Sequence, residues 1–286
     1  MQDELRGFAT RHVPGAGPVH MHRLGGGLVN ETYRVLRDDA AYALRVVAAN
    51  PHGLGVDRDW EAQVLNAAAA ADLAPIVEYF DPGRGILITR WEAGQPWSAA
   101  EVRRPENLSR MADLARRVHA LPLPTPARHM SPAKWIDYYS VGARDGAGAA
   151  LRPAAALQLA VLARLPAVTP VLCHSDLHPL NVIDRGASLI LLDWEYAHAS
   201  DALWDLASWS ANNDLEDSLQ NDLLRSYLMR TPTGNEYMRL RVLGWLYDYV
   251  CLLWSGLYLN LTGDGRAAVR AQLLSERLTH RSSRAT

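Results

Sequence analysis

Lysine is almost absent. Lys134 is the one lysine in 286 residues, and arginine carries nearly all the positive charge. A phosphate loop of the GxxxxGK[ST] kind needs a lysine, so that class of nucleotide-binding protein is excluded. Cysteine is scarce too: Cys173 and Cys251 give no disulfide framework and suit a reducing cytoplasm. Cys173, beside His174, reads as a small core residue and not as a nucleophile. No charge sign dominates. The formal net charge is −2 and the sequence pI about 6.5, which leaves no basic footprint for nucleic acid. The opening MQDELRGFAT has no signal-peptide core. One long apolar run exists, Val242 to Leu259, near the length that spans a bilayer. Asp248 interrupts it, and its aromatics are spread throughout and not gathered at its ends. It reads as a buried helix, with no membrane partner.

What is present is a globular composition, 49% hydrophobic and 21% charged, long enough for one large domain or two lobes. The chain is organised around Val171 to Glu195, VLCHSDLHPLNVIDRGASLILLDWE. It reads as strand, loop, strand, turn, strand, with Asp184-Arg-Gly186 as the turn. The loop carries His174, Asp176 and Asn181, and the last strand delivers Asp193. Asp176 precedes Asn181 by five residues and Asp193 by 17. Phosphoryl transfer needs one carboxylate near the attacking hydroxyl. It also needs a second carboxylate and a side-chain carbonyl to hold Mg²⁺ on the phosphates. This spacing supplies all three.

Residues 18–47 read as a β-meander with a glycine run, Gly25, Gly26 and Gly27, between its first two strands. Such a run lets backbone approach a phosphate chain. Arg45 in YALRV stands where a kinase usually has its phosphate-reaching lysine, and arginine can serve phosphate and carboxylate together. Residues 57–71 read as a helix capped by Asp57. It sets Glu61 on the face of Val64 and Leu65, where a carboxylate needs a partner; Arg45 is that expected partner. Pro75 to Thr89 adds two strands around the Asp81-Pro-Gly83 turn. Beyond Pro96 the chain is mainly helical, and Leu108, Met111, Ala115 and Val118 form one core-facing stripe.

HSDLHPLN with LLDWEYA resembles the aminoglycoside phosphotransferase/choline kinase superfamily, in particular bacterial thiamine kinases and LicA-type choline kinases. GGGLVNETYRV resembles the nucleotide loop of the latter and brings in Asn30. The resemblance implies an α+β, bilobal protein-kinase-like fold: a small β-rich N-lobe with one key helix (1–90), a hinge (91–95) and a larger, mainly helical C-lobe (96–286). It implies ATP and Mg²⁺ as cofactors, with adenine meeting the hinge at Trp91 and Glu92. It also implies Asp205 of ALWDLA as a structural brace beneath the loop. His174 reads as a brace for the loop, since a lone histidine is a poor base beside Asp176, and the protein is expected to be a monomer or homodimer.

The expected reaction is phosphorylation of a small cationic alcohol, thiamine or choline in type. Trp245, Asp248 and Tyr249 recur on one helical face, and aromatics with a carboxylate suit a cation. His178, Glu195 and Tyr196 are further candidates to line the acceptor site. An aminoglycoside or sugar acceptor is the alternative, though polycations want several exposed acids. A non-catalytic nucleotide-binding module is the rival from another class. It predicts loss of Asp176, Asn181 or Asp193, and all three are present.

Overall fold

The computed structural model describes residues 2–25, 27–47, 53–142 and 148–283. It begins with α1 (Gln2–His12), a helix that the sequence reading did not assign. The strands β1 (His20–Arg23), β2 (Asn30–Arg37) and β3 (Ala40–Val47) follow as a meander, then α2 (Arg58–Ala70), β4 (Val77–Asp81) and β5 (Ile86–Arg90). The five strands form one antiparallel sheet in the order β1-β2-β3-β5-β4, with Arg45 opposite Thr32 and Leu87.

Strand side chains alternate between faces. Tyr33, Val35, Tyr42, Leu44, Ile86 and Ile88 therefore share a face, and it packs on Phe8 and Val13 of the α1 segment. Thr32, Ala43, Arg45, Leu87 and Thr89 take the other face and line the cleft. Asp57 caps α2 by accepting from the Trp60 backbone N–H at 3.0 Å, which starts the helix where the sequence places it. Glu61, Val64, Leu65 and Ala68 make its buried face.

The C-terminal region is helical around two short β units. It runs α3 (Ala99–Val102), α4 (Pro105–His119), α5 (Pro132–Gly142), α6 (Arg152–Arg164), then β6 (Val171–Cys173), β7 (Val182–Asp184), β8 (Leu189–Leu191) and β9 (His198–Ser200). It ends with α7 (Leu203–Asn212), α8 (Asp217–Leu228), α9 (Gly234–Thr262) and α10 (Gly265–Ser283). Leu108, Met111, Ala115 and Val118 of α4 are all buried, as the stripe predicts. β7 and β8 form a hairpin in which Val182 faces Leu191 and Asp184 faces Leu189. Its turn needs Gly186, at φ +86°, and the Asp184 carboxylate accepts from the Gly186 N–H at 2.7 Å. Arg110 of α4 grips the same carboxylate at 2.5 and 2.6 Å, fixing the hairpin to the helical core.

By length and apolar content α9 qualifies as a membrane span. However, 78% of its most apolar window is buried inside the protein, which makes it the core helix of this region. Its N-terminus is a capping box between Thr233 and Glu236, and it stops at Gly263, at φ +69°.

Candidate active site

The sheet and the helical region face each other across a cleft of about 580 Å³. The Asp176 loop crosses its floor, held from below by Asp205 of α7. The buried Asp205 carboxylate accepts the backbone N–H of His174 at 2.8 Å and of Ser175 at 2.7 Å, and His119 lies 3.1 Å away. Burial opposes ionisation of Asp205, but His119 and these donors outweigh it, so its pKa falls. Ser175 sits at φ +71°, an uncommon conformation for a non-glycine residue, and these hydrogen bonds hold it there. His174 is fully buried. Its Nδ1 accepts from the Asp176 N–H at 3.3 Å, and its Nε2 donates to the Leu192 carbonyl at 2.8 Å. It ties the Asp176 loop to the segment after β8 that carries Asp193.

Asn181 donates from Nδ2 to the Asp176 carbonyl at 2.9 Å and to its carboxylate at 3.3 Å. Its carbonyl end is thereby turned away from that carboxylate. Burial works against the charge on Asp176, yet His178 beside it, with His174 and Arg270 further off, holds its pKa well below the usual carboxylate range. His178 Nε2 is 3.6 Å from Asp176 Oδ2. Burial pulls the His178 pKa down, but the Asp176 charge wins and raises it. Tyr247 of α9 donates to the other Asp176 oxygen at 3.4 Å.

A chain of alternating charge joins the two sides of the cleft. Asp193 accepts from Arg45 at 2.6 Å, and Arg45 donates to Glu61 at 2.6 Å. The other Glu61 oxygen accepts from Arg58 at 2.6 Å, and Arg58 reaches Glu195 at 2.9 Å. Asn30 donates to the same Glu195 oxygen at 2.8 Å. Burial first, then the Asp193 charge, raises the Glu195 pKa, against Arg45 and Arg58. Glu61 is completely buried, which requires the two guanidiniums it holds. Arg45 and Glu61 are therefore in contact, and Arg58, which the sequence reading left unassigned, extends the pair. Its position one helical turn before Glu61 was the available signal.

Gly25 and Gly27 line the cleft; Gly26 lies outside the described residues. A Cβ on Gly27 would come within 2.3 Å of the Asn30 carbonyl oxygen, so only glycine fits there, while Gly25 faces open space. Trp91 and Glu92 do not line the cleft with their side chains. Trp91 packs under Arg34, at 4.9 Å, and Glu92 meets Arg185 at 3.4 Å.

The buried Arg45 Nε has no hydrogen-bond partner among the described residues, and Arg45 lines the cleft together with Gly25 and Gly27. That leaves an unspent donor on the residue expected to take phosphate. Asp193 is one-third exposed, and with the Asn181 amide it offers oxygen donors of the kind Mg²⁺ prefers alongside phosphate.

The acceptor side corrects one expectation. Trp245, Asp248 and Tyr249 do not face the cleft. Trp245 donates to Ser282, Tyr249 donates to the Gly148 carbonyl, and the buried Asp248 is held by Arg277 and Arg281 of α10. The residues that do line it are Tyr247, Val250, Cys251 and Trp254. They keep the same i, i+3, i+4, i+7 spacing, displaced by two residues. At 3.6 residues per turn that displacement is about 200°, the opposite face. Tyr196 lines the cleft and accepts from Trp254 at 2.8 Å. Trp135, Tyr139 and Trp204 complete an aromatic wall, with Arg270 of α10 entering beside Trp254. No local motif in the sequence points to Arg270.

Residues 20–243 match the profile of a family described as the phosphotransferase enzyme family. Protein LicA of Haemophilus influenzae is 27% identical over 89 residues, which are 29% of this chain and 33% of that protein. The chain therefore aligns with about a third of that relative's length. A choline/ethanolamine kinase family protein from Mesorhizobium loti superposes with a TM-score of 0.79 and 25% identity, covering 98% of this chain and 94% of its own. The choline kinase LicA of Streptococcus pneumoniae gives a TM-score of 0.81 at 21% identity, over 98% and 99% of the two chains. At that identity the likeness is one of fold.

Proposed function

The chain belongs to the phosphotransferase enzyme family, and from that premise we propose that it transfers the terminal phosphoryl group of ATP to the hydroxyl of a small alcohol. The observation that carries this is the convergence of Asp176, Asn181, Asp193 and Arg45 on one cleft, with Asn181 hydrogen-bonded to Asp176 and Arg45 ion-paired with Asp193. Residues 1–90 act as the nucleotide lobe, 91–95 as the hinge and 96–286 as the catalytic and acceptor lobe. Arg45, positioned by Glu61, takes the phosphates, with backbone at Gly25 and Gly27 beside them.

Asn181 and Asp193 would hold Mg²⁺, which neutralises phosphate charge when bound. Asp176 orients the acceptor hydroxyl. Its depressed pKa makes it a weak base, suited to a loose transition state in which the hydroxyl loses its proton late. A protein that works on ATP belongs in the cytoplasm, and two free cysteines support that location.

For the acceptor, one reading is a cation of thiamine, choline or ethanolamine type. The aromatic wall and the names of the similar structures support it. The acids expected to hold such a cation are already spent: Asp248 on Arg277 and Arg281, Glu195 on Arg58. The same shortage weighs against a polycationic aminoglycoside. The test is ADP release from Mg·ATP across a panel of small alcohols. At least one alcohol should raise the rate far above the water background, and none doing so would contradict the proposal.

A further inference from the structure

Arg270 adds to the field that lowers the Asp176 pKa, and it stands inside the acceptor compartment. Its guanidinium lies over the Trp254 ring, 5.7 Å from the centroid, among Tyr196, Tyr247 and Cys251. The neighbouring arginines of α10 end on carboxylates: Arg266 on Asp264, Arg277 and Arg281 on Asp248. Among the described residues no hydrogen bond or ion pair engages the Arg270 guanidinium. It is half-buried, carries five N–H donors, and faces a cavity. A half-buried guanidinium that meets no protein acceptor keeps N–H donors turned toward the cavity, where a ligand can supply acceptors.

We propose that Arg270 is the specificity-determining residue of the acceptor compartment, and that the alcohol phosphorylated carries a carboxylate or phosphate group bound by its guanidinium. The proposal rests on the phosphoryl-transfer reading above. The Trp254 ring, 5.7 Å away, takes none of its N–H groups, and the planar fork of the guanidinium matches both groups. The Trp254 face, which a quaternary nitrogen would use, already bears a positive charge. The hydroxyl end of the ligand then points to Asp176. Its oxygen bonds the γ-phosphorus, the bond from that phosphorus to the β–γ bridging oxygen breaks, ADP leaves, and the hydroxyl proton passes to Asp176.

The experiment measures ADP release by the full-length protein with Mg·ATP and four kinds of alcohol. They are D-glycerate as the carboxylate arm, glycerol 3-phosphate as the phosphate arm, glycerol as the neutral match, and choline, ethanolamine and thiamine as cations. One anionic arm should give the highest kcat/KM. Arg270→Gln should raise KM for it about 10- to 100-fold, as loss of charge-assisted hydrogen bonds implies, with KM for Mg·ATP within about 2-fold. Arg270→Lys should recover part of the loss. Titration calorimetry of the same alcohols, without ATP, reads the subsite apart from turnover and should show the same dependence on Arg270.

A cation as best acceptor overturns the proposal and leaves the kinase reading intact, as does an anionic arm indifferent to Arg270→Gln. Anionic alcohols that bind through Arg270 but are never phosphorylated would support the subsite and contradict the kinase reading. No binding by either anionic arm overturns the subsite.

Discussion

Arg45 Nη1 rests 2.6 Å from Asp193 Oδ1, so the cation of the sheet sits on the carboxylate proposed to hold the metal. Phosphate and Mg²⁺ each have a reason to part them: phosphate competes for the guanidinium, and the metal competes for the carboxylate. Glu61 keeps Arg45 in place during that exchange, because it is buried and bonds the guanidinium directly. Arg45→Ala should therefore raise KM for Mg·ATP by about 10-fold or more and also lower kcat, since a charge-assisted contact is worth about 1.5–3 kcal/mol. It should also cost stability, because Glu61 would keep only Arg58. Steady-state kinetics over ATP concentration checks this; an unchanged KM for Mg·ATP would contradict it.

Asp205 has a different signature. It touches no expected substrate, yet it accepts two backbone N–H groups of the loop that presents Asp176. Asp205→Ala would strand both donors in the core, at about 1–3 kcal/mol each. Urea denaturation should show a loss of that order. kcat should fall while KM for Mg·ATP stays near its original value, because the loop shifts and the nucleotide wall does not. A stable Asp205→Ala protein with normal kcat would remove the brace from the account.

Stability should also fall in mild acid through His198. Burial pushes its pKa down to about 4, with Arg128 adding to the fall and the Tyr196 carbonyl and Asp205 opposing it. Its Nδ1 meets the Tyr196 carbonyl at 2.8 Å and Ser175 Oγ at 3.0 Å, while Nε2 is buried without a partner among the described residues. The unfolded chain has a histidine pKa near 6.5. The folded value is the lower one, so the stabilisation is complete above about pH 6.5. It is lost as pH falls from there toward 4, by about 2 kcal/mol at pH 5. Denaturation midpoints at pH 7.5 and 5 should differ accordingly, and His198→Gln should flatten the difference. An equal slope in that variant would assign the effect elsewhere.

The Asp176 loop was legible because its groups lie on one contiguous stretch whose strands and turn carry their own local signals. Arg45 was legible too: in a strand, alternation puts it opposite Leu44, and one of those two had to face away from the core. α9 was not legible in the same way. Its residues from Val242 to Val250 are buried without interruption, so its sequence has no polar side to show which face meets the cleft. Choosing Trp245, Asp248 and Tyr249 over Tyr247, Val250 and Trp254 needed the packing of α10, whose Arg277 and Arg281 claim Asp248. α1 escaped notice for a related reason. Phe8 and Val13 acquire meaning only once the outer face of the sheet is there to bury them.

In the proposed reaction Asp176 serves the acceptor hydroxyl while the Arg45 and Asp193 side of the cleft holds the nucleotide. Asp176→Asn separates the two most directly. Turnover with the best alcohol of the panel should drop by about 10²–10⁴-fold, the range for a positioned proton acceptor. The dissociation constant for Mg·ATP, measured by calorimetry on the same preparation, should change by less than about 3-fold, since Asp176 meets the acceptor and not the phosphates. An Asp176→Asn protein that turns over near the original rate, or one that loses Mg·ATP binding along with turnover, would contradict the account.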